Sequence, residues 1–419
     1  MGNKPKVLIL GGGFAGLGAA QKLAKADAEI TMIDKHDYHT FQPMLYQVAT
    51  DLIATEDVGH PLRDVFQEQH NLRLYKDTAT GIDLAKRQVQ FHDIAPLSYD
   101  YLLLGLGAKV NFFGVKGAEE NAFPLYTLPD ALRLKEHILE RWEAANKDPS
   151  KIKDGALNVV IVGGGPTGVE SAGSIIELYR GNFVKDYPDL PAQDARVILV
   201  ELGSTVLGMF KKDIQTYTKS ALEKRGVEVW LGDGVVDITP TRVTLKSGKV
   251  LNAHTVVWGG GLLGNPLVHS LGISLQKGER IPVGPDLSLE GHPDVFGVGD
   301  IAWITDTKTN EVLAQLGSVA LQSGEQAGEN IALHISGKGT EPFKYFDKGM
   351  MATIGRGAAV LQMPKGKTMK GKMAALAWGS VHLALLTGGD SRTKTMVDWG
   401  WAAFTRKRTE RISIDVNEK

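Results

Sequence analysis

Two glycine-rich turns about 150 residues apart constrain this chain more than any other feature. The first lies in VLILGGGFAGLGAA and sets Gly11, Gly13 and Gly16 in G-x-G-x-x-G spacing. The second lies in NVVIVGGGPTGVE and repeats the spacing at Gly163, Gly165 and Gly168. Each follows an aliphatic, β-branched run and opens into a small-residue stretch, the pattern of a strand bending into a helix. In such a turn the first glycine makes the bend, the second lets main chain approach a pyrophosphate, and the third lets helix pack on strand. The phosphates then meet a helix N-terminus, where free N–H groups and the helix dipole favour an anion. One turn holds one dinucleotide. Two turns imply two dinucleotides, and electron transfer between them is the economical reason to hold both.

Spacing alone is a weak signal. With Gly at 49 of 419 positions, such a triplet arises by chance about once, and a third one occurs at Gly259, Gly261 and Gly264. No acidic strand end follows it, so it reads as a loop. The first turn carries the rest of the pattern: EITMID ends at Asp34, 18 residues after Gly16, near the distance at which an acid grips a ribose hydroxyl. After the second turn, RVILVE ends at Glu201, 33 residues beyond Gly168. The extra length is a polar, Pro-containing insert at 181–195, which lengthens the crossover without altering the fold. A carboxylate at Glu201 accepts from ribose hydroxyls and repels a 2′-phosphate. Leu202, Gly203 and Ser204 bring no cation, so the unphosphorylated cofactor is expected.

A chain of 419 residues accommodates two or three domains. The formal net charge of −1 argues against a general nucleic-acid binder. The absence of cysteine removes disulfides, thiolate metal sites and redox thiols, and no metal is expected. No segment reaches the ~18–20 apolar residues of a spanning helix. Lys4 and Lys6 before an apolar stretch imitate a signal peptide, but the glycine spacing and Asp34 account for that stretch better, and no signal peptide is expected.

The βαβ pattern of residues 6–34 restarts at 157–201, and HPDVFGVGDIA (292–302) returns to a buried strand. The expected fold is α/β, with two Rossmann-like dinucleotide-binding domains and a C-terminal amphipathic region. The first domain spans 1–115 and resumes at 286–345, the second spans 116–285, and the amphipathic region spans 346–419. In that last region, Lys365, Lys367, Lys370 and Lys372 precede a stretch with Met373, Leu376, Ala377, Val381, Ala384 and Leu385 at helical spacing. MVDWGWAAF (396–404) then carries Trp399 and Trp401, followed by Arg406, Lys407, Arg408 and Arg411. Apolar helices with Trp and flanking cations suit the plane of a membrane interface. Packing on the body or a dimer seam is the plain alternative.

Taken together, the two turns, HTFQPMLYQVAT (39–50), HPDVFGVGDIA, GSVALQSG (317–324), PFKYFDKGMMATIGRGAAV (342–360) and the Trp-rich end resemble the type II NADH dehydrogenases over essentially the whole length. These are single-subunit NADH:quinone oxidoreductases of the two-dinucleotide flavoprotein superfamily. The resemblance implies that Gly11, Gly12, Gly13, Phe14, Ala15 and Gly16 cradle FAD, with Asp34 and Lys35 at its adenosine ribose. Asp300 would meet the ribityl and phosphate region, beside Val319, with a helix N-cap as its plain alternative. Gly107 would contribute main chain, since Leu106 stands where the superfamily usually has Thr. Gly163, Gly165, Pro166, Thr167, Gly168 and Glu201 would hold NADH, with Gly260 and Gly261 near the nicotinamide. Glu170 resembles the family's acid at the nicotinamide–flavin contact and is the candidate catalytic proton carrier; a helix-N-terminal Glu is the alternative. For the quinone, the family's AQxAxQ reads GSVALQ here, leaving Ser318 and Gln322, joined by Tyr46 and Gln47. For these last two, packing is the alternative.

The implied reaction passes a hydride from NADH to flavin N5 and two electrons on to a membrane quinone, without ion pumping. A peripheral homodimer on the cytoplasmic face of the cell membrane is the implied setting. The alternative function is a soluble FAD-dependent NADH reductase of a protein carrier such as a ferredoxin, which would not need the Trp-rich end. Disulfide, peroxide and sulfide branches of the fold rely on a cysteine that this chain lacks.

Overall fold

The structure is a computed structural model describing residues 4–405 and Arg408. The chain divides into two units. The first runs up to Thr40 and adds Gly59–Val110 and Leu262–Asp347; the second comprises Phe41–Val58, Asn111–Gly261 and the chain from Lys348 onward.

In the first unit five parallel strands lie in the order Leu72–Lys76, Glu29–Asp34, Lys6–Leu10, Tyr101–Leu104, His292–Gly297, and Ser288–Leu289 closes the edge antiparallel. The central strands read VLIL and YLLL because both of their faces are buried. Strand order reverses beside Lys6–Leu10, and such a switch point opens a crevice at the carboxyl ends of the strands. The first glycine turn stands there, at the end of Lys6–Leu10. Helices Phe14–Lys22 and Gly317–Ile335 cross there almost backbone to backbone. A Cβ on Gly328 would lie 2.6 Å from the Ala19 carbonyl oxygen, and one on Gly18 would lie 2.8 Å from that of Leu321.

The second unit repeats the design. Its parallel strands run in the order Phe123–Pro124, Thr255–Trp258, Val159–Val162, Val197–Glu201, Val227–Leu231. Helix Leu128–Lys147 starts at a reciprocal capping box: the Asp130 N–H donates to Thr127 Oγ1 at 3.3 Å, and the Thr127 N–H donates to Asp130 Oδ2 at 2.8 Å. Its buried stripe ends near Trp142, whose ring meets Tyr179, Phe183 and Tyr187 at centroid distances of 4.9, 4.7 and 5.4 Å. Arg180 donates to the carbonyls of Ala192 and Ala195. The 181–195 insert is therefore folded down by one guanidinium and an aromatic cluster, and Val159–Val162 and Val197–Glu201 still pair as direct neighbours.

After Lys348 come three antiparallel strands, Met350–Gly355, Ala358–Gln362 and Thr368–Gly371, for which the sequence reading had no secondary structure. Helices Lys372–Leu385 and Gly389–Thr405 follow. The stripe foreseen on the first of them is real and faces outward: Met373, Leu376, Val381 and Leu385 are exposed, while Ala374, Trp378 and His382 turn inward. Arg406, Lys407 and Arg411 lie outside the described residues. Among the described residues no helix is long and apolar enough to cross a membrane.

Candidate active site

The two glycine turns agree at their first, second and third fingerprint glycines. Gly11 and Gly163 take φ values of 104° and 105°, open to glycine alone. A Cβ on Gly16 would collide with the Gly11 carbonyl, and one on Gly168 with that of Gly163, so those third glycines are fixed by packing. Gly13 and Gly165 are different. Their φ values of −72° and −71° suit any residue, and a Cβ on either would meet nothing within 4 Å. Nothing in the protein requires glycine at these two places, whereas a pyrophosphate approaching the main chain does. The donor sets therefore fit FAD and NADH.

The acids complete the match. Asp34 Oδ2 accepts from the Gly12 N–H at 2.6 Å and Oδ1 from His36 N–H at 2.7 Å. Glu201 Oε2 accepts from the Gly164 N–H at 2.6 Å and Oε1 from Gly203 N–H at 2.6 Å. Despite its late position in the sequence, Glu201 thus reaches the counterpart of the atom that Asp34 binds. Each carboxylate keeps lone pairs for a ribose diol.

In the first unit, the Phe14 ring packs edge-on against His39, 5.0 Å between centroids. His39 is buried with Nδ1 3.1 Å from the Gly12 carbonyl, and burial lowers its pKa to about 4, so it stays neutral. Gly299 takes a φ of 68°, and a Cβ there would lie 3.2 Å from that of Ala15. The Asp300 turn is thereby set against the first turn of helix Phe14–Lys22. Asp300 sits inside the short turn Gly299–Ile301, and Leu316 precedes the next helix, so Asp300 is not a helix cap. Val319 is buried in the core, and its N–H belongs to the first turn of Gly317–Ile335, where main-chain donors lack helical partners. Gly107, with φ of 67°, lies on a loop whose Gly105 carbonyl abuts Gly11. Lys35 is exposed.

In the second unit, Pro166 and Thr167 open helix Pro166–Leu178. Gly259 lies against the turn, its carbonyl oxygen 3.0 Å from where a Gly163 Cβ would be. Trp258 Nε1 donates to the carbonyls of Asn111 and Gly260 at 2.9 and 3.0 Å. The Phe113 ring sits against Gly261, leaving no room for a side chain. Residues 259–261 form the loop that the sequence implied, and Leu262–Gly264 continues as a short strand.

Glu170 and Glu177 share one face of helix Pro166–Leu178, and both accept from the strand segment it packs on. The Thr353 N–H donates to Glu170 Oε1 at 3.1 Å, and the Arg356 N–H donates to Glu177 Oε1 at 2.6 Å. Glu170 is 9% exposed. Burial raises its pKa to about 8 against the Thr353 hydrogen bond, so at neutral pH it holds a proton. A neutral acid gains little from a helix dipole.

Beside it runs a buried hydrogen-bond chain: Trp399 Nε1 to Gln47 Oε1 at 2.7 Å, Gln47 Nε2 to Tyr46 Oη at 2.9 Å, and Tyr46 Oη to Thr353 Oγ1 at 3.1 Å. Tyr46, Gln47, Thr353, Trp378 and Trp399 line a cavity of about 840 Å³. Thr353 and the inward role of Trp399 escaped the sequence reading, because a Trp at helical spacing beside cations looks like an interface residue. Ser318 and Gln322 lie in the first unit. Ser318 Oγ is 2.9 Å from Tyr345 Oη, and the Gln322 amide pairs with both main-chain groups of Phe346 at 2.9 and 3.1 Å.

One cluster was not foreseen. Asp77, His92 and Asp93 offer ligand atoms within 4.8 Å of one another. The Asp77 carboxylate already accepts from the N–H groups of Thr78, Asp93 and Ile94, which makes it a clamp on two loops.

A family model described as pyridine nucleotide-disulphide oxidoreductase matches residues 5–324. The chain is 34% identical to the type II NADH:quinone oxidoreductase Ndh of Mycobacterium tuberculosis over 426 residues, covering 98% of this chain and 90% of that protein. It is 30% identical to the type II NADH:quinone oxidoreductase of Staphylococcus saprophyticus, covering 89% and 93%. The structure of NDH2 from Plasmodium falciparum in complex with NADH shares the fold at a TM-score of 0.89 and 20% identity, covering 99% of this chain and all of that one. The two sequence relatives are quinone enzymes by name, and the ferredoxin alternative finds no support in them. With matching turns, matching acids and whole-chain relatives of one kind, the chain belongs to the type II NADH:quinone oxidoreductases.

Proposed function

We propose that the first unit holds FAD, the second unit holds NADH, and the cavity beside Tyr46 and Gln47 takes the quinone ring. The observation that carries the reading is the repeated turn. At Gly13 and Gly165 alike, space is kept open for which the protein itself has no use. FAD, when bound, supplies the hydride acceptor and the two-electron store that join a nicotinamide to a quinone. The residues do the rest. Gly11, Gly12, Gly13, Phe14, Ala15 and Gly16 present main-chain donors to its phosphates. Asp34 offers its free lone pairs to the ribose, with Lys35 beside it, and Gly107, Asp300 and Val319 close the far side. Gly163, Gly165, Pro166, Thr167 and Gly168 do the same for NADH, and the Gly260–Gly261 loop flanks the nicotinamide.

The net reaction takes NADH, a proton and a quinone to NAD⁺ and a quinol. Glu170 holds a proton at the position where the buried chain ends. The cavity volume suits one quinone ring with part of its tail. Ser318 and Gln322, expected at the quinone from the sequence, are engaged within the first unit by Tyr345 and Phe346 and are given no part in this cavity.

Glu201 sets the cofactor preference. A 2′-phosphate beside a carboxylate already engaged by two N–H groups meets repulsion, and the following Leu202, Gly203 and Ser204 bring no cation to relieve it. Steady-state oxidation with a water-soluble quinone should favour NADH over NADPH by at least about tenfold in kcat/KM, or about 1.4 kcal/mol. Glu201→Ser should narrow that ratio. Equal rates with both nucleotides in the parent protein would remove the role of Glu201.

The outward face of the two C-terminal helices is proposed as a peripheral attachment to the cytoplasmic face of the membrane, where the quinone resides. Leu376 is 66% exposed and Phe404 92%, with Met373, Met396, Val397 and Trp401 beside them in the sequence pattern. Singly exposed apolar residues are ordinary, but a concentration of this kind marks an interaction surface. Leu376→Asp with Phe404→Asp should cut binding to anionic phospholipid vesicles at least about tenfold with flavin content unchanged. Undiminished vesicle binding would sink the attachment. A homodimer belongs to the same proposal, and sedimentation in mild detergent reads it against the 45.3 kDa of one chain.

A further inference from the structure

The hydrogen-bond chain at the cavity has a direction, and one residue sets it. Trp399 comes from helix Gly389–Thr405, the same helix that exposes Val397, Trp401 and Phe404. Its indole N–H can only donate. The atom facing it at 2.7 Å must therefore be the Gln47 carbonyl oxygen. That orientation of the amide leaves Nε2 toward Tyr46, 2.9 Å from Oη. An amide nitrogen also only donates, so the Tyr46 oxygen must accept. The phenol proton then has two outlets, the Thr353 hydroxyl at 3.1 Å or a group in the cavity. A quinone carbonyl accepts and never donates, so it needs what this chain supplies at its end.

Gln47 is 2% exposed and Tyr46 5%, so a lost partner at either is replaced only from the cavity side. The phenol also stays neutral, since burial pushes its pKa well above the usual tyrosine value. Without the indole, the Gln47 amide is free to turn over. Its oxygen would then face Tyr46, and the phenol proton would go to Gln47 instead of the cavity.

We propose that Trp399 is a positioning residue for quinone reduction: by donating to Gln47 it fixes the polarity of the chain, so that Tyr46 Oη accepts from Gln47 and keeps its own proton for Thr353 or for a quinone carbonyl in the cavity. This rests on the reading that the cavity takes the quinone. It gives the C-terminal helix a second task, since the element proposed to lie on the membrane also sets the hydrogen-bonding character of the acceptor site.

The test uses the full-length flavoprotein and four forms: parent, Tyr46→Phe, Trp399→Phe and Gln47→Glu. Two readouts separate the half-reactions: flavin bleaching by NADH in rapid mixing, and the KM for a short-chain water-soluble quinone. All four should bleach with NADH at parental rates. Tyr46→Phe and Trp399→Phe should each raise the quinone KM about tenfold, the effect of one lost buried hydrogen bond. Gln47→Glu carries the sharper signature. A protonated carboxyl in place of the amide keeps the polarity, accepting from Trp399 and donating to Tyr46. An ionised carboxylate accepts from both and withdraws the phenol. Glu170, Glu177 and Arg408 also act on Tyr46, and Glu170 itself ionises near pH 8 in every form, so this variant is read against the parent at each pH: the ratio of their quinone KM values should be near one at about pH 6 and at least about tenfold at about pH 9, a change that a purely structural Gln47 would not show. A ratio that stays flat with pH in Gln47→Glu, or a parental KM in Trp399→Phe, overturns the proposal while Tyr46→Phe still raises KM. If Tyr46→Phe itself leaves the quinone KM unchanged, the placement of the quinone has failed instead.

Discussion

Gly13→Ala is expected to purify folded and colourless, whereas Gly165→Ala should purify yellow and bind NADH poorly. The backbone at both positions is extended and unstrained, and the added methyl would meet no protein atom within 4 Å. The fold has no reason to object, and a Gly→Ala change at a compatible site stabilises by about 0.4–1 kcal/mol through the unfolded chain. A ligand has every reason to object. The methyl enters the open space in front of the turn and holds an anion away from main-chain N–H groups and the helix terminus. A loss of about 100-fold in affinity, or about 2.7 kcal/mol, is expected for FAD in the first case and NADH in the second. Gly16→Ala and Gly168→Ala serve as contrast. Their methyls collide with the carbonyls of Gly11 and Gly163, so these proteins should fail to fold rather than fail to bind. The ratio of flavin to protein absorbance and an NADH titration decide the matter. A fully flavinylated Gly13→Ala protein would show that the first turn does not hold the flavin.

The second large effect concerns Glu170 and pH. Its pKa is raised by burial from 4.5 to about 8, so between those values the folded protein holds a proton that the unfolded chain has released. Stability from this group is fully present below pH ~4.5 and declines as pH rises, by up to about 1.4 kcal/mol per unit, until the folded acid itself ionises near pH ~8. The sign is opposite to that of a salt-bridged carboxylate. Glu170→Gln keeps the shape and the acceptor for the Thr353 N–H but removes the titration. Denaturant unfolding of this variant should lose the downward slope across pH 5–8, and the variant should be the more stable protein at pH 8 by a few kcal/mol. Parallel stability–pH curves for variant and parent would refute a protonated Glu170. The same substitution removes the proton that Glu170 holds beside the cavity, so quinone turnover should fall by at least about tenfold and by no more than the ~10⁴-fold ceiling of general acid–base catalysis. Flavin bleaching by NADH should persist.

The fold was legible in the sequence wherever a residue type has one physical use. Gly11 with Gly16, and Gly163 with Gly168, admit no side chain, so their spacing announced two strand–turn–helix units. Asp34 and Glu201 stood at strand ends because an acid there can reach back to the turn, and both do. What stayed hidden depends on meetings far apart in the chain. Thr353 contributes a main-chain N–H to Glu170 and a hydroxyl to Tyr46, and no sequence pattern marks either meeting. Trp399 meets Gln47 across 352 positions, and its exposed neighbours Met396, Val397 and Trp401 masked the inward turn. The strands of 350–371 are short and interrupted by glycines, which blurs their alternation. Gln322 illustrates the opposite difficulty: its position was visible, but not that its amide would be engaged by Phe346.

The way the chain alternates between its two units bears on how such a molecule can be made. Residues up to Thr40 belong to the first unit, Phe41–Val58 to the second, Gly59–Val110 to the first again, and the first is finished only by Leu262–Asp347. A ribosome has therefore released most of the polypeptide before strand His292–Gly297 and helix Gly317–Ile335 exist to cover the sheet begun at Lys6. Until then an aliphatic strand edge waits uncovered, so nascent chains should lean on chaperones and truncated products should precipitate. No single cut in the gene yields either half intact, and an ancestor that joined two ready-made nucleotide folds end to end would need later rearrangement to give this order.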